Sequence, residues 1–289
     1  MRHYFSSFVS QVIGSLMPHH HHHPHPSTPG LRSGLIALAA IAVTTAAAPG
    51  QANAQTAQAI VDQMLSRDAF GWDEAESTVQ MVLVDKKNKT KVREMETLRR
   101  RKDGRLQSVV RFRSPQEVAG TAFLMRERSN GDSEQYIYLP RLRRTRKVVG
   151  REREGSFMGS DFSYADFERR DTRESTHRKL PNEKYGKYDV FVIESTPRAG
   201  VKSPYSRIQT WVRKDNYLPL KIEFFDQKNR LLKTFKTKRI KKMNGRPVIM
   251  EARMENHQTR HSTKLELKNL QPRPGLPDTE FTPTALEHG

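Results

Sequence analysis

Apolar and polar residues alternate with a period of two through most of this chain. The alternation is clear at Val79, Met81 and Leu83, and it recurs through residues 79–149 and again through residues 188–270. Short polar segments rich in Lys, Asp, Asn and Gly separate the alternating runs. Because the side chains of a strand point alternately to its two faces, the pattern predicts about ten antiparallel strands joined by tight turns.

Two segments differ from this pattern. In residues 56–68 apolar side chains such as Ile60 and Met64 recur at the spacing of a helix, which predicts one amphipathic helix. A sheet this wide is expected to curl, and one of its faces must be covered. The helix and residues 156–169 are the segments that fit that role. We therefore expect an α+β fold, mainly antiparallel β: an incomplete half β-barrel of about ten strands covered by short helices.

The first 54 residues have a different composition. Residues 35–48 are almost all apolar or small, Arg32 precedes them, and an Ala-x-Ala pattern ends at Ala54. This order is typical of a Sec-type signal peptide, with cleavage after Ala54, and the apolar run is short for a membrane-spanning helix. We expect residues 1–54 to be an N-terminal extension plus signal peptide, and residues 55–289 to be one periplasmic domain.

A histidine-rich tract lies within this extension, at residues 19–25. It has three explanations: a tag-like addition, a start codon placed too early, or a metal-binding tract. Seven of the eleven histidines belong to the extension, so few remain for chemistry in the domain itself.

Charge and cysteine content narrow the function classes. Removing residues 1–54 takes away Arg2 and Arg32 but no acidic residue, which leaves 49 basic and 32 acidic side chains and a formal net charge of +17. Export makes nucleic acid an improbable partner, so the charge indicates anionic membrane or envelope polymers. The absence of cysteine excludes disulfides, cysteine nucleophiles and acylation of the chain itself on a cysteine.

The most distinctive motifs lie in the middle of the chain. Residues 143–150 read RRTRKVVG and residues 155–166 read GSFMGSDFSYAD, preceded by YIYLP at residues 136–140. These motifs resemble those of the outer-membrane lipoprotein-sorting proteins, and more narrowly the larger LolA-like branch associated with inner-membrane exporters of the RND/MMPL type. WVRKD at residues 211–215 and LPD at residues 276–278 extend the resemblance over nearly all of the domain.

The resemblance implies an incomplete β-barrel with an apolar cavity for acyl chains, closed by helices. Partners implied are lipid or lipoprotein cargo, an RND/MMPL-type exporter and a transiently contacted membrane surface. Alternation also allows an ordinary packed core at the same positions. The expected cavity residues are Met81, Leu83, Val110, Phe112, Leu220, Ile222, Phe224, Met250 and Met254 in the walls, and Phe157, Met158 and Phe162 in the lid.

The basic run in residues 141–147 has two interpretations. Arg143, Arg144, Arg146 and Lys147 are candidates for docking to lipid headgroups or to an acidic partner. The same charges are also typical of an edge strand that resists aggregation. The nearby Asp161 is expected to be a structural cap at the start of a short helix.

No catalytic or metal-binding motif is evident in the sequence. His257 and His261 are four residues apart, but the surrounding pattern is strand–turn–strand, so they are expected to point in different directions. We predict no enzyme activity, no cofactor and no metal, and a periplasmic carrier that moves acyl chains toward the outer membrane. The alternative is a non-catalytic adaptor that binds an exporter or an anionic polymer through the basic strand.

Overall fold

The computed structural model describes residues 55–66, 73–129, 132–168 and 172–288. The predicted signal peptide, its cleavage site and the histidine-rich tract lie outside these residues. Within them the chain forms one antiparallel sheet of thirteen strands with few helices. None of the described helices has the length and hydrophobicity needed to cross a bilayer.

The strands of the sheet are β1 (Glu74–Val84), β2 (Thr90–Lys102), β3 (Arg105–Ser114), β4 (Ala122–Glu127), β5 (Ser133–Leu139), β6 (Arg144–Lys147), β7 (Ser175–Tyr185), β8 (Tyr188–Pro197), β9 (Arg207–Arg213), β10 (Pro219–Phe225), β11 (Leu231–Met243), β12 (Arg246–Asn256) and β13 (His261–Pro272). Their order in the sheet is β6-β5-β4-β3-β2-β1-β13-β12-β11-β10-β9-β8-β7. Strands β1–β6 thus form the first half of the sheet and β7–β13 the second half, and the two halves join where β1 pairs with β13. The helices are α1 (Ala57–Ser66) and 3₁₀ helices at Pro140–Leu142, Gly150–Glu154, Phe157–Gly159, Tyr164–Phe167, Thr172–Glu174, Asp278–Phe281 and Thr284–Glu287.

The prediction of a mainly antiparallel β fold is confirmed, but the described residues contain more strands than the ten or so expected. The strand without a counterpart in the apolar alternation is β7. Its sequence, STHRKLPNEKY, is mostly polar and includes Pro181, and it lies at an edge of the sheet. An edge strand with little buried surface needs no alternation, and Pro is tolerated there because one side of the strand is unpaired.

Helix α1 covers the end of the sheet near β8 and β9. Its apolar side chains Ile60, Val61, Met64 and Leu65 are buried against Ile193 and Val212. The predicted helical spacing therefore corresponds to a real buried stripe.

Residues 155–168, here called the lid, pack on one face of the sheet, here called the lid face. Lid side chains and side chains from both halves of the sheet form the largest continuous buried cluster among the described residues. Strands β8 and β9 bury apolar side chains on both faces. Ile193 and Val212 face α1, and the adjacent residues Val192 and Trp211 belong to a smaller cluster on the opposite face.

Residues 273–288, here called the strap, cross the opposite face of the first half of the sheet. Leu276, Phe281 and Leu286 of the strap are buried against Val109, Ala122 and Leu124. The Arg100 guanidinium lies 4.4 Å from the centre of the Phe281 ring and donates to the backbone oxygen of Leu276. The strap is thus a packed part of the fold.

We predict that Phe281→Ala destabilises the protein by about 3–5 kcal/mol, because Phe281 is 1% exposed and its removal leaves a cavity under Arg100. The measurement is the free energy of unfolding from urea denaturation. Thr279→Ala, an exposed position in the same strap, is the matched control. A loss below 1 kcal/mol for Phe281→Ala would show that the strap does not contribute to stability.

His177 gives a prediction about pH. Burial lowers the pKa of its imidazole, which contacts Ser195 Oγ at 2.8 Å and the backbone oxygen of Thr172 at 2.7 Å. The unfolded chain therefore takes up this proton at a higher pH than the folded chain, and stability is lost as the pH falls through about 6.5. Urea titrations between pH 8 and 5 should show a smaller loss for His177→Gln; an unchanged loss would exclude His177 as its source.

Candidate functional site

The lid is a compact turn structure rather than a long helix. Residues Ser156 and Ser163 form an isolated antiparallel bridge, and the amide of Phe157 donates to the backbone oxygen of Phe162 at 2.7 Å. Met158 and Gly159 both have positive φ, at 50° and 74°, which closes the turn. Gly accepts that conformation without a Cβ clash, which explains its place in the motif.

Aromatic side chains attach the lid to the sheet. The ring of Phe157 is fully buried and lies 5.2 Å from that of Phe123 on β4 and 6.0 Å from that of Phe112 on β3. Phe167 and Tyr164 of the lid pack on Phe157 at 4.6 and 5.4 Å. The lid therefore fills the space above the first half of the lid face with its own apolar groups.

Two polar side chains on the first half of the sheet bind the lid backbone. Arg93 of β2 is 7% exposed and donates through Nη1 to the backbone oxygen of Met158. Gln135 of β5 donates through Nε2 to the backbone oxygen of Tyr164 at 2.8 Å. Burial lowers the pKa of the Arg93 guanidinium, so this cation is held in the apolar interior at an energetic cost.

A buried ion pair attaches the lid to the second half of the sheet. Lys233 of β11 is 4% exposed, and its Nζ donates to Asp166 Oδ2 at 2.6 Å and to the backbone oxygen of Asp161 at 3.2 Å. Tyr205 donates its hydroxyl to Asp166 Oδ1 at 3.0 Å. Burial acts to lower the pKa of Lys233, but the Asp166 carboxylate raises it above its ordinary value, so the ammonium stays charged.

Asp161 has a different role from the predicted structural cap. Its Oδ2 accepts hydrogen bonds from Thr263 Oγ1 at 2.7 Å and from His261 Nδ1 at 2.8 Å, so it ties the lid to β13. The helical turn that follows Asp161 in the lid starts only at Tyr164, and there Asp166 accepts the backbone amide of Ser163 at 2.8 Å. The sequence prediction assigned the cap to Asp161 and not to Asp166, because both aspartates lie near the turn and the sequence does not show where the turn begins.

The structure brings most of the predicted cavity residues together. Each is buried or partly buried, and eleven of the twelve belong to the largest cluster or pack against it, under and in the lid. The exception is Leu220, which belongs to the smaller cluster with Val192 and Trp211, next to a β-bulge between Pro219 and Lys221. The bulge breaks the alternation from which the position of Leu220 was inferred. Whether any of the twelve contacts cargo stays a prediction.

Two of the cavities that the described residues form lie beside the lid. One of about 410 Å³ lies between the lid, Tyr205, Lys233 and His261. The other, of about 1050 Å³, is lined largely by polar and charged side chains such as Arg153 and Arg198. Of the predicted cavity residues, only Phe162 lines either of these two. Where the structure describes the lid face, lid aromatics occupy the space in which acyl chains were expected.

The basic run forms the edge strand β6 and the turn before it. Arg143 and Arg144 are exposed. Arg146 forms an ion pair with Glu152, and Lys147 Nζ lies 2.9 Å from Glu134 Oε1. Within the described residues, two of the four candidates thus make no ion pair, Arg143 and Arg144, and the other two do. A docking role stays a prediction, and it now concerns chiefly Arg143 and Arg144.

His257 and His261 have separate partners, as the strand–turn–strand pattern suggested. His257 Nε2 lies 2.7 Å from Thr234 Oγ1, whereas His261 contacts Asp161. In the part of the chain that the structure describes, no group of three His, Asp or Glu side chains is placed to hold a metal ion.

Sequence reasoning missed three of the residues that hold the lid: Arg93, Gln135 and Lys233. A signal was present in the sequence. Each of these residues lies two positions from a buried apolar residue of its own strand and so points to the same face, as Lys233 does with Phe235. A polar side chain on the buried face of a strand requires a buried partner, and here the partner is the lid.

Comparison with known proteins supports this architecture. A family model described as an uncharacterized protein matches residues 104–288. A putative outer membrane lipoprotein-sorting protein domain from Vibrio parahaemolyticus is 32% identical, with a TM-score of 0.73, over 80% of this chain and 98% of that one. A DUF1329 family protein from Desulfovibrio piger is 28% identical, also with a TM-score of 0.73, over 81% of this chain and 100% of that one.

A LolA superfamily protein from Nitrosomonas europaea has the same fold, with a TM-score of 0.62 at 22% identity over 79% of this chain and 98% of that one. No curated protein matches the chain. The open antiparallel sheet is thus a fold that this chain shares with a LolA superfamily protein. The chain belongs to the family of outer-membrane lipoprotein-sorting proteins, as the motifs in residues 143–166 indicated.

We predict that Asp166→Asn destabilises the protein by about 3–5 kcal/mol, because it leaves the ammonium of Lys233 buried without its counter-charge. The double variant with Lys233→Met should lose less than the sum of the two single losses in urea denaturation. Glu255→Gln, which breaks the half-buried pair between Lys236 of β11 and Glu255 of β12, is the matched control and should cost about 1 kcal/mol or less. Additive losses at Lys233 and Asp166 would contradict the coupling.

Proposed function

We propose that this protein is a periplasmic carrier that binds the acyl chains of a lipid or lipoprotein on the lid face and moves them toward the outer membrane. The observation that carries the proposal is an apolar sheet face covered by a short segment that is held through a few buried polar contacts. Family membership supports it. The protein works by binding, without catalysis, as residues 55–289 after the N-terminal extension is cleaved at Ala54.

In this proposal the sheet curls into a half-barrel, and the lid occupies the acyl site when the site is empty. Phe157 and its aromatic neighbours supply apolar contacts that cargo replaces when the lid moves away. Each buried methylene contributes about 0.8 kcal/mol, so about ten of them supply about 8 kcal/mol, the free energy of a micromolar complex. Affinity of this kind needs no specific polar contact with the cargo.

In the proposed replacement of the lid by cargo, the polar contacts of the lid define one closed state. Arg93, Gln135 and Lys233 bind atoms of the lid at three separate places, and Thr263 binds Asp161 at a fourth. Apolar contacts alone are non-directional, whereas these bonds fix one position of the lid. Opening breaks them, and burial of acyl chains compensates for the loss.

The proposed partners follow from the family and the sequence. An RND/MMPL-type exporter in the inner membrane is the proposed source of the cargo. The alternative function is a non-catalytic adaptor that binds an exporter or an anionic envelope polymer through the basic strand. The specific support for it is that Arg143 and Arg144 are exposed and lack an acidic partner within the described residues.

We predict that protein purified from cells yields bound lipid on organic extraction and mass spectrometry, and that the lipid-free protein takes up a fluorescent fatty-acyl probe. The adaptor alternative predicts neither result. Lipid-free protein in repeated preparations, together with no probe uptake, would overturn the carrier proposal.

A second prediction concerns the lid. The chain has no cysteine, and the amide of Asp161 lies 3.0 Å from Thr263 Oγ1, so Asp161→Cys with Thr263→Cys should form a disulfide between the lid and β13. We expect the oxidised variant to lose probe uptake and to regain it on reduction, because acyl chains enter only when the lid moves.

The matched control is Ser77→Cys with Thr97→Cys, which joins β1 to β2 and leaves the lid free. The hydroxyl oxygens of Ser77 and Thr97 are 2.5 Å apart. This control should take up probe in both redox states. Equal uptake by the oxidised and reduced lid variants would exclude lid movement as the route of entry.

A further inference from the structure

The edge of the sheet formed by β6 has exposed apolar side chains at both ends. Among the described residues, the large hydrophobic side chains that are exposed are Leu142 at 66%, Val149 at 54% and Val92 at 45%. Leu142 and Val149 flank the four residues of β6. Single exposed hydrophobics are common on protein surfaces, but two beside one short edge strand form a distinct feature.

Leu142 projects from a rigid turn. It ends the 3₁₀ helix Pro140–Leu142, and the next residue, Arg143, has φ 45° and closes the turn in the left-handed conformation. The turn rests on the neighbouring loop, since a Cβ added at Gly120 would lie 3.1 Å from Cγ of Pro140. The turn therefore places Leu142 in solvent.

The same edge carries cations without counter-charges. Arg141, Arg143, Arg144 and Arg151 are all exposed, and within the described ranges none of them makes an ion pair or a side-chain hydrogen bond. Other basic residues at this edge differ, as the Arg146–Glu152 pair shows. The free guanidinium groups are thus those nearest to Leu142 and Val149 in the sequence.

We propose that the β6 edge docks on an anionic phospholipid surface, with Leu142 and Val149 entering the interfacial layer and Arg141, Arg143, Arg144 and Arg151 binding lipid phosphates. Apolar side chains flanked by unpaired basic groups fit this surface, because it offers phosphate charge and an apolar layer a few ångströms apart. A purely acidic protein partner would use the arginines but leave Leu142 and Val149 in water. The inference does not depend on the identity of the cargo.

Site-specific labelling tests the insertion directly. Because the chain lacks cysteine, Leu142→Cys and Val149→Cys each accept one environment-sensitive NBD label, and Asn182→Cys on the exposed edge strand β7 is the matched control. With vesicles of phosphatidylglycerol and phosphatidylethanolamine, labels at 142 and 149 should shift to shorter wavelength and brighten, and the label at 182 should not. No shift at 142, or an equal shift at 182, would overturn the proposal.

Charge variants test the role of the arginines. Each basic residue near an anionic surface is worth about fivefold in binding, so Arg143→Ala with Arg144→Ala should weaken co-sedimentation with these vesicles about 25-fold. The control is Lys184→Ala with Lys187→Ala, which removes the same charge from the β7–β8 turn and should have a much smaller effect. Equal losses would assign binding to net charge and overturn the proposal.

Two further measurements separate this proposal from its competitors. Binding of poly-glutamate as tight as that of vesicles, with no NBD shift on either, would assign the edge to an acidic protein and overturn membrane docking. Acyl-probe uptake should be unchanged in Arg143→Ala with Arg144→Ala, because both side chains are exposed and, among the described residues, no hydrogen bond or ion pair joins them to the lid. Failure of docking with normal uptake would refute this inference alone and leave the carrier proposal in place.

Discussion

Burial of the lid face beneath residues 155–168 is the interaction on which the rest of this structure depends. The strands of both halves of the sheet direct apolar side chains to that face, and without a cover this surface would lie in water. The lid covers it with aromatic rings, of which Phe157 is the most central, and contacts strands from the two halves. It therefore joins the two halves on the face where we propose that cargo binds.

The contacts of the lid are of two kinds with different consequences. The aromatic contacts are large and non-directional, so acyl chains are a suitable replacement for them. The polar contacts of Arg93, Gln135 and Lys233 are few, buried and directional, and each fixes one position of the lid backbone or side chains. Buried ionic groups are costly, and their retention here is consistent with a role in defining one closed state. The combination suits the lid movement that we propose, in which the lid closes completely and still opens.

The surfaces away from the lid divide the remaining tasks. The strap covers the opposite face of β3 and β4 with Phe281 and its neighbours and contributes stability. Beside and within the edge strand β6, Arg143, Arg144, Leu142 and Val149 are exposed to solvent. The proposed cargo site, the strap and the proposed docking edge are thus separate parts of the structure. Changes in one part can be tested with little effect on the others.

The sequence by itself determined the strand-rich fold, the helix α1, the family and most of the apolar positions on the lid face, because alternation and helical spacing are local consequences of which side chains are buried. It did not reveal β7, which buries too little surface to need a pattern, or the bulge that moves Leu220 to another cluster. Only the tertiary structure decided that Asp161 binds β13 and that Lys233 meets Asp166, residues 67 positions apart. Such contacts depend on where the chain returns, which local patterns do not encode.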